Sequence, residues 1–129
     1  MREIVVAATQ MACSWDLAAN LANAERLIRE AVAGGAQLVL LQELFETPYF
    51  CQDQAARHFA LAHDAKASPL LERCARLARE LEVVLPVSFF ERSGNAYFNS
   101  LAMIDADGSQ LGVYRKSHIP NGPGYQEKN

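Results

Sequence analysis

The sequence lacks the features that mark several special classes of protein. Its three cysteines are odd in number and form no CxxC pair, which argues against a disulfide framework and against a zinc site. Twelve Lys and Arg residues against fifteen Asp and Glu residues leave no basic stripe for nucleic acid and no polybasic tract for a membrane. We therefore expect a compact globular protein that acts on a small molecule, with neither a nucleic acid nor a membrane as its partner.

The amino end also lacks the pattern of a secretory signal peptide. A short strand-like run at residues 4–8 is interrupted by Thr9 and Gln10, so no sustained apolar core and no cleavage site follow it. The expected location is cytoplasmic, where thiols stay reduced. The cysteines expected to be free thiols are Cys13, Cys51 and Cys74.

Apolar residues in the first third of the chain follow a strand, helix and strand order. The nearly continuous run at residues 4–8 predicts a strand buried on both faces, and residues 38–41 predict a second buried strand. Between them, apolar residues recur at helical spacing over residues 17–32, and Gly34 and Gly35 are expected to end this helix. Because such a unit normally makes a right-handed crossover, the two strands are predicted to be parallel.

The rest of the chain predicts two helices followed by an antiparallel run of strands. A short helix is expected at residues 54–63, and Ser68 followed by Pro69 is typical of the start of a second helix, which extends to Leu81. Pro86 in the third strand indicates an edge, a bulge or a bend. The predicted strands are residues 83–90, 99–104 and 111–114, with turns at 92–95 and 105–108. This order predicts an α/β fold whose helices cover the sheet.

Two charged residues follow apolar runs in matching positions. Glu43 comes after the run at residues 38–42, and Lys116 comes after residues 112–115. A carboxylate and an ammonium held at strand ends could act as a general base and an oxyanion stabiliser. A third group must form the bond, and no convincing nucleophile lies between or after them. The sequence thus predicts a part of an enzyme.

Each of these residues also has an ordinary interpretation. A Glu just past a strand is often a solvated loop residue, and a lysine such as Lys116 is usually on the surface. Cys51 lies near Glu43 in sequence, but free cysteines are mostly small buried hydrophobes, and neither an adjacent His nor a helix start predicts a lowered pKa for it. His58 and His63 are five positions apart, on different helical faces, which argues against a metal-binding pair.

Six segments together resemble the amino-terminal half of the nitrilase-superfamily carbon–nitrogen hydrolases. They are residues 40–45, 48–51, 85–91, 99–100, 104–108 and 114–120. The resemblance implies a four-layer α-β-β-α sandwich, of which this chain covers about the first half. It also implies a Glu, Lys and Cys triad with no metal and no organic cofactor. Glu43 matches the family's general base, Lys116 matches its lysine, and Glu127 matches a second glutamate close to the triad.

The nucleophilic cysteine of the family lies in a strand-elbow segment beyond the lysine. Residues 1–129 are therefore expected to be the amino-terminal portion of the domain, ending before that cysteine, and to be inactive alone. In the family's reaction a thiolate attacks a ureido or amide carbon. The resemblance implies that Glu43 takes the thiol proton and later activates water, while Lys116 and backbone amides stabilise the oxyanion.

The resemblance also implies a small-molecule substrate, a carbamoyl amine. The leading expectation is N-carbamoylputrescine, hydrolysed to putrescine, ammonia and carbon dioxide in the formation of polyamines from agmatine. Glu46, Tyr49 and Phe50 are expected to hold its ammonium end, although the two aromatic rings could equally close the edge of the core. Two alternatives stay open, another amidase or ureidopropionase of the superfamily and a non-catalytic fragment that depends on a partner or an oligomer. Family members commonly form homo-oligomers, and we expect the same here.

Overall fold

The computed structural model describes residues 1–52 and 55–120, and within them the predicted order of elements is confirmed. The elements are β1 (Val6–Ala8), α1 (Leu17–Ala33), β2 (Leu38–Leu40), two short 3₁₀-helices (Phe50–Gln52 and Ala56–Leu61), α2 (Pro69–Leu81), β3 (Leu85–Ser93), β4 (Ala96–Ile104) and β5 (Gln110–Arg115). The helix expected at 54–63 is thus the second 3₁₀-helix, and its predicted first residue lies outside the described ranges.

Local side-chain chemistry sets the ends of the two α-helices. Asp16 accepts a hydrogen bond from the backbone N–H of Ala19 at 3.0 Å and so caps the start of α1, whose end at Gly34 was predicted. Ser68 caps α2 in the same way, accepting from the N–H of Leu71 at 3.1 Å. The sequence pattern of a cap followed by proline therefore predicted the start of α2 correctly.

The strands form one nearly continuous β layer. β1 and β2 pair in parallel, as predicted, and β3, β4 and β5 form an antiparallel sheet. A parallel bridge between Leu38 and Val84 joins the two sheets, with the N–H of Val39 donating to the Val84 carbonyl at 3.0 Å. The spatial order is therefore β1-β2-β3-β4-β5. Pro86 lies on β3, which is an outer strand of the three-stranded sheet but has β2 beside it in the layer. The edge position that Pro86 indicated therefore holds for that sheet and not for the whole layer.

The β3–β4 hairpin is longer than the sequence predicted. The two strands continue in register up to the pair Ser93 and Ala96, and Gly94 makes the turn with φ of 60°. The predicted strands stopped at residue 90 and restarted at 99, because the polar residues in between give no alternating apolar signal. Backbone pairing with the neighbouring strand decided these ends.

Both α-helices pack on one face of the β layer and form the core with it. The largest fully buried side chains in the described residues include Ile28 of α1, Leu70 of α2 and Phe89 of β3. In the described residues, the two 3₁₀-helices lie against the other face beside β3 and β4, whereas β1, β2 and β5 carry exposed side chains there. The described chain therefore contains one α layer and one β layer of the expected α-β-β-α sandwich.

The prediction that the first two strands are buried on both faces is wrong for one face. Val39 of β2 is fully buried against the helices, whereas Val6 of β1 is 60% exposed and Leu40 of β2 is 42% exposed. A continuous apolar run gave the right strands but could not show that only one face is covered. None of the helices described is long and apolar enough to cross a membrane.

Candidate active site

Glu43 lies in a turn that follows β2, separated from the strand by Leu41 and Gln42. The next residue, Leu44, adopts the left-handed conformation with φ of 51°, which is unusual for a residue with a side chain. Its N–H donates to the hydroxyl of Ser88 on β3 at 2.9 Å, and its side chain is buried. A buried hydrogen bond therefore holds the backbone at Glu43 in a strained turn next to the sheet.

Lys116 directly follows β5 and reaches the same turn. Its backbone N–H donates to the carbonyl of Asn99 on β4 at 2.9 Å, which extends the strand pairing by one residue. Its ammonium Nζ donates to Glu43 Oε1 at 2.9 Å. The side-chain amide of Asn99 donates to the same Oε1 at 2.7 Å. One carboxylate oxygen of Glu43 thus accepts hydrogen bonds from both a cation and a neutral amide.

The three side chains lie on the open face of the β layer. Ser100 faces the helices and is buried, so its neighbour Asn99 faces the opposite side. The same alternation along the end of β5 places Lys116 on the side of Tyr114, which is 63% exposed. The side chains of Glu43 and Lys116 are 47% and 31% exposed, so both remain accessible.

A cavity of about 340 Å³ adjoins this cluster and is lined largely by aromatic rings. Phe59 and Tyr97 lie with ring centroids 4.4 Å apart, and Phe50 and Phe90 lie 5.0 Å apart. Lys116 forms part of the cavity wall. The space is suited to a small molecule that places a polar group at Lys116 and an extended or cationic tail on the rings.

Of the three residues expected to bind the substrate, Phe50 is among the described residues that line the aromatic cavity and Glu46 is not. Glu46 lines a separate, smaller cavity with Phe50, and its Oε2 is 2.9 Å from Nε2 of His63. This hydrogen bond raises the pKa of His63 above its ordinary value. Tyr49 is half-buried and is not among the described residues that line the cavity. The predicted binding role of Glu46 therefore stays a prediction that its contacts do not favour. Glu127 lies outside the described residues.

The three thiols occupy different environments. Burial on the apolar side of α2 raises the pKa of Cys74 to about 12, and burial also raises the pKa of Cys13. Both thiols are therefore poor nucleophiles at neutral pH. Cys51 is buried in the wall of the aromatic cavity, on the same side as Lys116.

Some residues around the site were not identified from the sequence. Asn99 and Ser88 both belong to segments that resemble the nitrilase superfamily, but no role was assigned to either. Only the register of β3 against β4 and the path of the turn place these two side chains beside Glu43 and Leu44. In the described ranges, no group of three or more His, Cys, Asp or Glu side chains could hold a metal ion.

Comparison with known proteins assigns the chain to a family. Residues 5–129 match the family model described as carbon-nitrogen hydrolase, and the chain belongs to that family. It aligns with a carbon–nitrogen hydrolase from Helicobacter pylori G27 with a TM-score of 0.88 and 34% identity, covering 96% of this chain and 43% of that one. The nitrilase-type α/β fold predicted from the resemblance is thereby confirmed.

Two curated relatives have names that specify a substrate. The chain is 58% identical over 127 residues to an N-carbamoylputrescine amidase of Arabidopsis thaliana, covering 98% of this chain and 42% of that protein. It is 49% identical over 128 residues to a citrullinase of Francisella tularensis, covering 99% of this chain and 45% of that protein. The chain therefore spans less than half the length of these relatives.

Proposed function

We propose that residues 1–129 form the amino-terminal portion of a hydrolase domain that cleaves non-peptide carbon–nitrogen bonds. The observation that supports this function is the contact of Glu43 with Lys116 and Asn99 at the mouth of a cavity, in a chain of the carbon–nitrogen hydrolase family. Lys116 and Asn99 line the cavity, and Glu43 contacts both of them and is itself accessible. A structural ion pair alone would not require a strained turn at Leu44 or an adjoining cavity.

In the proposed reaction, a cysteine thiol from the remaining portion of the domain attacks the ureido carbon. Glu43 accepts the thiol proton, and Lys116 donates to the oxygen on which negative charge develops. Glu43 returns this proton to the leaving nitrogen, the carbon–nitrogen bond breaks, and ammonia leaves a thiocarbamoyl enzyme. Glu43 then takes a proton from water, which attacks the same carbon, breaks the carbon–sulfur bond and releases a carbamic acid. This acid decomposes to putrescine and carbon dioxide. Asn99 holds the Glu43 carboxylate toward this space, so the base is positioned before substrate arrives.

The proposed substrate is N-carbamoylputrescine, which would place the reaction in the formation of polyamines. Relatives that are 56% to 58% identical carry the name N-carbamoylputrescine amidase, which supports this choice. The aromatic rings of the cavity suit the ammonium tail of such a substrate. Citrulline is the second candidate because of the citrullinase relative, and it differs by a carboxylate at the far end. The cytoplasmic location and the homo-oligomeric state expected above stay predictions.

A chimera tests the proposal. The completed chain is residues 1–129 joined to the remaining portion of the Arabidopsis thaliana amidase, which these residues replace over 42% of its length. We expect it to release ammonia from N-carbamoylputrescine faster than from citrulline. Glu43→Gln and Lys116→Met should each lower kcat by at least about a hundredfold with a smaller change in KM.

The control is Glu30→Gln, which neutralises an exposed carboxylate on α1 that pairs with Arg26 far from the cavity. It should leave kcat unchanged. Circular dichroism and size-exclusion chromatography establish that all variants are folded. Near-normal turnover in folded Glu43→Gln would overturn the assignment of Glu43 as the base. Faster release of ammonia from citrulline than from N-carbamoylputrescine would make citrulline the proposed substrate.

A further inference from the structure

Glu91 on β3 makes an ion pair that lies on the side of the β layer opposite to the candidate active site. Its Oε1 accepts from Nε of Arg115 at 2.8 Å, and its Oε2 accepts from a terminal guanidinium nitrogen of Arg115 at 3.0 Å. The hydroxyl of Ser100 donates to Oε1 at 2.8 Å. The Glu91 side chain is only 5% exposed. A buried carboxylate with three donors from two other strands has a fixed geometry.

The last residue of β5, Arg115, is held by two side chains. Besides the two-point contact with Glu91, its guanidinium carbon lies 4.0 Å from the centre of the Phe98 ring on β4. On the other side of β3, the backbone of His63 accepts from the Arg92 N–H at 2.8 Å and donates to the Phe90 carbonyl at 2.8 Å. These bonds hold the segment of β3 that carries Glu91.

Arg115 and Lys116 are adjacent and point to opposite faces, because successive residues of an extended chain alternate. Fixing the guanidinium against the helix side therefore fixes the direction in which Lys116 leaves the sheet. Lysine has a flexible four-carbon stem and no planar group of its own to set its direction. The backbone bond from Lys116 to Asn99 holds its main chain but not the rotation of the strand end.

We propose that Glu91, acting through Arg115, is a positioning residue that holds the Lys116 ammonium at Glu43. The inference rests on the proposed function for its kinetic consequence. The side chain of Glu91 bonds to Ser100 and Arg115, and Glu91 is not among the described residues that line the cavity, so its proposed effect on the reaction passes through the strand end. Removing the charge of Glu91 leaves Arg115 without its anchor and lets the end of β5 rotate.

In the completed chain, Glu91→Gln keeps the side-chain size and removes the charge. We expect kcat for N-carbamoylputrescine to fall roughly tenfold to a hundredfold, as for other small displacements of a catalytic group, with KM within about twofold. The matched control is Ser100→Ala, which removes one hydrogen bond to the same carboxylate and leaves both bonds to Arg115. It should change kcat by less than about twofold.

A double-mutant cycle separates positioning from general damage. If Glu91 acts through Lys116, adding Glu91→Gln to Lys116→Met should lower kcat no further. An additive loss, or a normal kcat in Glu91→Gln alone, would overturn the inference. Failure of the proposed function has a different signature, because Lys116→Met would then leave turnover unchanged.

A spectroscopic measurement reports the environment of the Lys116 ammonium directly and does not depend on residual turnover. Reductive methylation with ¹³C-formaldehyde labels the lysines of residues 1–129, which are Lys66, Lys116 and Lys128. The Lys116 resonance of the completed chain is identified by its disappearance in Lys116→Met. Glu91→Gln should shift it toward the position of an exposed lysine, and Ser100→Ala should leave it in place. A resonance that Glu91→Gln does not move would overturn the inference.

Discussion

Glu43 and Lys116 are separated by 73 positions in the sequence, yet the lysine ammonium lies 2.9 Å from Oε1 of the carboxylate. Neither residue is within a strand. Glu43 sits in a turn strained at Leu44, and Lys116 takes the first position after β5. Each depends on a neighbouring strand for its place, because β3 fixes the turn and β4 fixes the end of β5. The proposed reaction therefore depends on contacts outside the two charged residues.

The isolated 129-residue chain should release no ammonia from N-carbamoylputrescine above a blank. The proposed nucleophile belongs to another portion of the domain, and removing the nucleophile from a group of residues that act together removes most of the rate. A coupled ammonia assay measures this. Cys51 is the alternative nucleophile because it is in the cavity wall. Release that Cys51→Ser abolishes would contradict the prediction and assign the role to Cys51.

Asn99→Asp should lower kcat of the completed chain more than Asn99→Ala does. The aspartate removes the amide that donates to Oε1 of Glu43 at 2.7 Å and places a second carboxylate there, which repels Glu43 and competes for the Lys116 ammonium. Steady-state kinetics with N-carbamoylputrescine measures the difference. Asn99→Ala, which removes the hydrogen bond without adding charge, is the control. Equal kcat in the two variants would show that the charge beside Glu43 does not affect the reaction.

The contact between Glu46 and His63 should make stability fall as pH rises through neutrality. Because the contact raises the pKa of His63 in the folded protein, its contribution is fully present below the unfolded pKa of about 6.5 and is lost as pH rises through the folded pKa. Thermal unfolding of the completed chain between pH 5.5 and 8.5, about a unit or two around the unfolded pKa, measures how stability changes with pH.

Glu46→Gln should flatten that slope, because a neutral amide does not favour the charged imidazole. The same variant tests the predicted binding role of Glu46, which requires a raised KM for N-carbamoylputrescine and an unchanged KM for an uncharged amide. Equal slopes in the parent and Glu46→Gln would refute the linkage, and a selective KM effect would restore the binding role.

Gly108→Ala should destabilise the protein more than Gly94→Ala. Both glycines have positive φ, 86° and 60°, so an added Cβ costs on the order of 1 kcal/mol at either position. At Gly108 the Cβ would also lie 2.8 Å from the carbonyl oxygen of Ala75 on α2, whereas at Gly94 it meets nothing within 4 Å. Urea unfolding of the completed chain compares the two. Equal losses of unfolding free energy would show that α2 shifts to accommodate the Cβ at position 108 without further destabilising the protein.

The isolated chain should associate or aggregate in solution, since one face of its β layer is apolar and open. Val6, Leu40 and Tyr114 are large exposed side chains on that layer. Static light scattering with calorimetry measures the effect, and Val6→Thr with Leu40→Thr should reduce association. A monomer that melts cooperatively would contradict the expectation and show that the described layers are stable by themselves.

Local sequence patterns were sufficient to predict the order of the elements and to identify the two charged residues. The caps at Asp16 and Ser68, the glycines after α1 and the apolar periods depend on neighbours a few positions away, so a single sequence displays them. Glu43 and Lys116 were identifiable because each follows an apolar run and lies in a segment that resembles one family. Their catalytic roles and that of Glu127 stay predictions.

Tertiary structure decided what depends on residues distant in sequence. Strand register placed Asn99 at Glu43 and Ser100 at Glu91, while the bridge between His63 and β3 brought His63 to Glu46. The exposure of one face of β1 and β2 likewise depends on which layers pack against them, and an apolar run in the sequence does not indicate which layers are present. The sequence by itself therefore determined the order of the elements and identified the two charged residues. The packing of strands decided which partners hold them, because side-chain direction is set by register and not by composition.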